Sequence, residues 1–298
     1  LPVFVTYGST LNTIFMKNVL QSILALFIAF GSTAEAQNKP LENSLLWEIS
    51  RNGLTSPSYL YGTMHMMCEK EYALSNPVKK AFEQSQKLVL ELDMDDPAEL
   101  ARMQKMVMSD VPLSKTLSPT EYQKLDDFLK KSVGVGAATF ENYTLLSILS
   151  VVMIKALNCA PKSFELEFSE MATQRKMEIL GFEKVADQVS TFDNSYTNAE
   201  LIDQLQEYDS AFLEEMTKVY VAQDLNGLYA MITDDRFMDG KAQNLLLDSR
   251  NANWIKQMPA LMQKQQTFFA VGAGHLAGEN GLIAALQRAG YTVKPLMK

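Results

Sequence analysis

The sequence predicts an α/β fold: a mixed β-sheet built from two pseudo-repeated strand–Gly-x-x-His–helix–strand units, with a helical insertion between them. Three observations carry this expectation. "SYLYGTMH" and "TFFAVGAGH", near opposite ends of the chain, each end an apolar run on a histidine three residues after a glycine. These histidines, His65 and His275, are the only two in the chain. Each is followed by a helical pattern and another apolar run, and such helices between strands favour crossover connections and a partly parallel sheet. The stretch between the two units, from about residue 97 to 177, is helical in pattern.

The elements follow in order. "SLLWEIS", "RNG" and "PSYLYGT" read as a β-hairpin, two apolar runs around an Asn-Gly turn. "SNPVKKAFEQSQ" is a helix with Ser75 or Asn76 as cap and Pro77 in its first turn. "KLVLELDM" is the next strand. "DPAELARMQKMVM" and "SPTEYQKLDDFLKK" each open with a cap residue, a proline and then an acid, as helices do. "ENYTLLSILSVVMIKAL" is apolar nearly all round and predicts a buried helix. "SFELEFSEMATQRKM" follows as a helix, and "EILGFE" as a short strand ending at Gly181. Residues 198–223 and 240–263 are again helical, before the closing strand, helix and strand, "TFFAVGAG", "ENGLIAALQRAG" and "YTVKPL".

The N-terminal part reads as a targeting segment. Lys17, an apolar run from Val19 to Phe30 and the small-residue site Ala34-Glu35-Ala36 form a secretory signal that opens at Met16. The run is too short to span a bilayer comfortably. We therefore expect residues 1–36 to be an extension and cleavable signal, and 37–298 to be one exported domain, periplasmic or secreted, with no stable membrane span. A formal charge of −8 without a basic cluster argues against a nucleic-acid partner. Cys68 and Cys159 are either two buried thiols or one bridge, and an oxidising compartment favours the bridge.

His65 and His275 are the first functional candidates. Ligands of α/β sheets bind at strand ends, glycine permits close approach there, and neutral imidazole is both a metal ligand and a general base. In "VLELD", Glu91 and Asp93 share one face of a strand; they are paired or ligating groups, or they mark a wet edge. Glu183 follows a short apolar segment and a glycine in "EILGFEK", as a site residue or an ordinary loop acid. Arg250, in "LLLDSRNANWI", could hold a carboxylate bidentately, although a surface helix position would look the same. "GAGHLAG" has the wrong glycine spacing for a dinucleotide site, and no acid for a ribose follows on the next strand.

"SYLYGTMH", "VLELD", "FSEMATQRKMEILGFEKVADQ" and "SRNANWI" with "FFAVGAGHLAGENGLIAALQRAGYTV" resemble the TraB/GumN family, relatives of the Tiki proteases, in order from about Leu45 to Leu296. The resemblance implies an exported, metal-dependent peptidase using manganese or cobalt. By position it implies His65 and His275 with their glycines Gly62 and Gly272, acids at Glu91 and Glu183, and Arg250. This sequence reads Gly-Phe-Glu-Lys where Gly-Leu-Glu-Thr is usual, which keeps the acid and changes its neighbour.

The resulting expectation is a peptide or protein hydrolase. His65, His275 and a carboxylate such as Glu91 hold one divalent ion (manganese, cobalt or zinc), Glu183 is the general base, and Arg250 orients substrate or acid. Two other readings are a metal-free esterase-like hydrolase working through the histidines and a glutamate, and a non-catalytic protein that binds or quenches peptides.

Overall fold

The computed structural model describes residues 40–296. The chain divides into two units, Leu1–Pro40 and Leu41–Lys298, and the fold below is that of the second. The expected signal segment, its start at Met16 and the boundary near residue 37 lie outside the described residues.

The strands are β1 (Leu46–Ser50), β2 (Ser58–Thr63), β3 (Met67–Cys68), β4 (Lys87–Leu92), β5 (Pro161–Lys162), β6 (Glu178–Glu183), β7 (Thr267–Gly272) and β8 (Thr292–Pro295). Six of them form one mixed sheet in the order β6-β4-β7-β2-β1-β8. β6, β4, β7 and β2 run parallel, and β1 is antiparallel to both β2 and β8. The predicted hairpin is present, and Arg51, Asn52 and Gly53 turn it with positive φ. The predicted short strand runs two residues beyond Gly181, because β6 stays paired with β4 as far as Glu183.

The two histidine units do not trace the same path. From β2 to β4 the chain passes one strand, and from β7 to β8 it passes two. What they share is position: β2 and β7 are neighbours, with Thr63 opposite Gly272, so the two Gly-x-x-His turns leave the sheet side by side.

Both faces of the sheet are covered. On β7, Phe268 and Phe269 alternate, as strand geometry requires. Phe268 packs against Tyr61, against Phe82 of α1 (Asn76–Gln84) and against Phe168 further along the chain. Phe269 stacks on Phe182, which stacks on Trp254. The helical stretch is not one body. α2 (Pro97–Lys105), α3 (Pro119–Ser132) and α4 (Leu145–Leu157) precede β5, and Leu125, Leu129, Ile148 and Val152 belong to a separate small core that includes Ile202 and Leu205. α5 (Phe164–Gln174) instead buries Phe164, Phe168 and Ala172 in the main core.

α4, expected to be buried, is a correction. Ile148 and Val152 are buried, but Ile154 is 43% exposed and most other side chains of the helix are only partly covered. One apolar stripe meets the small core and the other borders a cleft. Cys68 and Cys159 are bridged, with Cα atoms 5.6 Å apart, joining the β3–β5 ribbon that follows His65. Among the described residues, no helix is long and apolar enough to cross a membrane.

Candidate functional site

The site stands on the carboxyl ends of β4, β6, β2 and β7, with one side from α10 (Ser249–Lys264), which comes after α6 (Val185–Ser195), α7 (Asn198–Gln204), α8 (Ser210–Val221) and α9 (Leu225–Ile232). A π turn at Asn244–Asp248 ends two residues before Arg250, and such turns recur at functional sites. Arg250 enters the cluster from the first turn of α10, and Asn251 and Trp254 follow on its inward side.

His275 is 4% exposed, in the 3₁₀ turn Ala273–His275. The Asn251 amide donates through Nδ2 to the carbonyls of His275 and Asn280, at 3.3 and 3.0 Å. Its Oδ1 must therefore be the atom that faces His275 Nδ1 at 2.8 Å, and Nδ1 carries the ring proton. Nε2 is left as a lone pair pointing into the cluster, 3.2 Å from Arg250 Nη1 and 3.9 Å from Glu91 Oε1. Burial pushes the imidazole pKa down to about 3, with Arg250 adding to the effect against the opposing charge of Glu91, so the ring is neutral.

His65 is tied differently. Its Nδ1 faces Glu165 Oε1 at 2.9 Å, and Glu165 also accepts from Thr63 Oγ1 at 2.6 Å and Ser163 Oγ at 2.8 Å. The Glu165 charge raises the His65 pKa to about 9. The side chain is 67% exposed, so water screens the pair and reduces its worth to stability. Burial acts to raise Glu165, but the histidine and the hydroxyls hold it down at about 2.

Glu91 is 8% exposed on β4, an interior strand of the sheet, so the wet-edge reading of this acid does not hold. Oε1 accepts from the Gly272 N–H at 2.8 Å, and Oε2 accepts from Arg250 Nη2 at 2.5 Å. Burial opposes the charge, but the guanidinium and the backbone donor hold this carboxyl far below the usual range. Glu183 ends β6. Its oxygens accept from Arg250 Nε at 3.0 and 3.1 Å, and Oε1 also accepts from Trp254 Nε1 at 2.8 Å. Gln188 Nε2, on α6, reaches both acids, at 3.2 Å from Glu91 and 3.3 Å from Glu183. The surface alternative for Arg250 is thus replaced by a largely buried fork between two carboxylates. Asp93 lies beyond β4 and accepts from the N–H groups of Asp95 and Asp96, so it shapes a loop outside this cluster.

The two glycines have different neighbours. A side chain at Gly272 would stand 3.2 Å from Glu91 Oε1, 3.5 Å from His65 Nε2 and 3.7 Å from His275 Cδ2. The bare face of Gly272 is therefore the point around which both imidazoles and Glu91 gather. A side chain at Gly62 would meet Ala273 and Leu276 at 3.1 Å, so that glycine lets the second motif pack against the first.

Glu165, Asn251 and Gln188 contact the candidate site residues and were not singled out in the sequence. Each had a faint signal: an acid flanked by Phe164 and Leu166, and two amides on helices within quoted motifs. Their partners lie 100, 24 and 97 positions away along the chain, beyond the reach of local pattern.

A cleft of about 620 Å³ opens onto His65, Glu91 and Arg250, and its remaining walls come mainly from α2, α4 and α6. Buried Glu99 of α2 accepts from the Val185 N–H, which fixes the start of α6 beside Glu183.

By type and presentation the donors suit a divalent ion. Both imidazoles have Nδ1 engaged by an acceptor, the arrangement that orients ligating histidines, and acids surround them. Among the described residues, however, no three His, Cys, Asp or Glu side chains are gathered closely enough to hold an ion as they stand. Arg250 Nη1 lies against one donor atom, so an ion would share that space with the guanidinium.

Metalloprotease TIKI1 of Danio rerio is 24% identical, over 85% of this chain and 63% of its own length. Metalloprotease TIKI2 of Danio rerio is 22% identical over 91% and 66%, and metalloprotease TIKI1 of Homo sapiens 23% over 88% and 64%. The chain thus spans just under two thirds of these curated relatives. No solved structure matches. A model of the TraB/PrgY/gumN family matches residues 45–295, and the chain belongs to that family.

Proposed function

We propose that this protein is an exported metal-dependent hydrolase that cleaves peptide bonds. One observation carries the reading: His65, His275 and Glu91 converge on the bare face of Gly272, at the end of a cleft large enough for a substrate. The cleft lies within the range of about 300–1,000 Å³ typical of ligand sites. The metalloprotease names of the relatives support hydrolysis and a divalent ion.

His65 and His275 would hold the ion through Nε2, and Glu91 through Oε1. When bound, a divalent ion supplies Lewis acidity and lowers the pKa of water. Asn251 holds the His275 ring proton on Nδ1 and its Nε2 directed inward, and Glu165 faces Nδ1 of His65. Glu91 is the one carboxylate among the described residues lining the cleft, but its Oε2 is held by Arg250 and Gln188, so it is not free to act as the general base. Glu183 was expected in that role. Its oxygens are committed to Arg250, Trp254 and Gln188, so we assign it to holding Arg250.

The decisive experiment measures metal stoichiometry and peptide turnover for the wild type, His65→Ala, His275→Ala and the double variant. Either single change should remove most metal affinity and turnover, and the double should add little, because the two ligands act as a unit. Full metal retention in either single variant ends the reading. Glu183→Gln should keep the metal and lower kcat, whereas Glu91→Gln should lose both.

A metal-free hydrolase is favoured by one specific feature, the His65–Glu165 pair beside Arg250, in which His65 Nε2 faces the cleft with Nδ1 held by a carboxylate. With its pKa raised to about 9, this imidazole is protonated at neutral pH, so the pair would serve as a general acid there and as a base only in alkaline solution. Peptide turnover that is unchanged after exhaustive chelation would favour it.

A further inference from the structure

We infer that the cleft beside the polar cluster is a subsite for apolar side chains, and that the substrate is an extended peptide with apolar residues next to the bond that reacts. The inference rests on the hydrolase reading for its chemistry and adds the substrate class.

α4 is the first reason. It is apolar nearly all round, yet only Ile148 and Val152 are buried. Its second stripe, Ser147, Val151 and Ile154 at helical spacing, borders the cleft, with Val151 also packed against the small core. Val189 and Phe192 of α6, and Val107, line the same cleft. Ile154 and Val107 are 43% and 38% exposed, large apolar side chains facing water where a ligand would cover them.

The second reason is continuity. The mainly apolar walls reach His65, Glu91 and Arg250, where the charged groups are concentrated. An occupant must therefore have an apolar body and a polar group at one end. A peptide fits better than an alkyl chain because hydroxyls interrupt the wall. Ser147 Oγ is bonded to Thr144 Oγ1, and Ser150 Oγ donates to the Leu146 carbonyl. Both oxygens keep lone pairs that a backbone N–H could use and a hydrocarbon could not. Peptide recognition commonly joins main-chain bonds with pockets for individual side chains.

The test uses the mature chain and three fluorescein-labelled heptapeptides, blocked at both ends, with Leu-Phe, Ser-Ser or Lys-Lys at the centre. Binding is read by anisotropy and cleavage by mass spectrometry. The Leu-Phe peptide should bind, and be cut, about 10- to 200-fold better than the Ser-Ser peptide. Ile154→Asp and Val107→Asp occupy exposed positions that do not carry the fold. Each should lose at least tenfold on Leu-Phe and gain on Lys-Lys, with the circular dichroism spectrum unchanged.

Equal handling of the Leu-Phe and Ser-Ser peptides by the wild type overturns the inference. So does dodecanoate binding more tightly than the Leu-Phe peptide, which would make the cleft an acyl-chain site. Discriminating binding with no cleavage upholds the subsite and ends the hydrolase reading. Cleavage without discrimination upholds the hydrolase and ends the subsite.

Discussion

Replacing Arg250 by Met removes the one guanidinium that separates two buried acids. The Glu91 and Glu183 side chains are 10% and 13% exposed, and Arg250 contacts each of them at 2.5 and 2.9 Å. Methionine keeps much of the stem's volume and supplies no charge, so two carboxylates would face each other with little water to solvate them. Breaking a buried pair by removing one partner costs about 3–5 kcal/mol, because the remaining charge is left uncompensated. At about 2–4 °C per kcal/mol for a domain of this size, the melting temperature should fall by about 6–20 °C. Urea denaturation with an unchanged slope is the assay. The control is the triple variant Arg250→Met, Glu91→Gln, Glu183→Gln, which removes the stranded charges together with their partner and should recover more than half of the loss. A loss below about 1 kcal/mol for Arg250→Met alone would refute the reasoning, since that is the worth of a solvent-screened pair. Failure of the triple variant to recover would show that the cost lies in packing against Trp254, whose ring the guanidinium covers at 4.8 Å.

Three further outcomes are expected. Glu165→Gln should weaken divalent-metal affinity by about 10- to 100-fold in calorimetry, as loss of a ligand's orienting partner does, and a change under twofold would remove Glu165 from the site. Gly272→Ala should leave the urea midpoint nearly unchanged, because the backbone there has φ −51°, but place a methyl 3.2 Å from Glu91 Oε1. Turnover should then fall on the order of 10²-fold, and an unaffected rate would show that the donors do not gather there. Cys68→Ser with Cys159→Ser opens a link across 91 positions and should cost up to about 4–5 kcal/mol in urea melts without reductant, while a cost under about 1 kcal/mol would mean that the β3–β5 ribbon holds without it.

Much of this molecule is legible in its sequence because local chemistry decides it. The Asn52-Gly53 turn, the Ser118-Pro119-Thr120-Glu121 capping box and the apolar strand cores depend on neighbours a few residues away, and the structure contains each of them. The repeated Gly-x-x-His was legible because each copy is local, although its consequence is not. That His65 and His275 meet follows from β2 pairing with β7, a parallel contact across some 209 positions. The extent of β6 and the exposure of α4 were misjudged for the same reason: pairing with β4 prolongs the strand, and an open cleft leaves half of an apolar helix uncovered. The sequence by itself determined the residue types of the site, two imidazoles, two acids and an arginine. Only the tertiary structure decided their surroundings. Burial makes His275 neutral, the neighbouring Glu165 carboxylate makes His65 basic, and Arg250 binds Glu183 on one side and Glu91 on the other. Desolvation and charge proximity are properties of the folded surroundings, and no residue carries them along the chain.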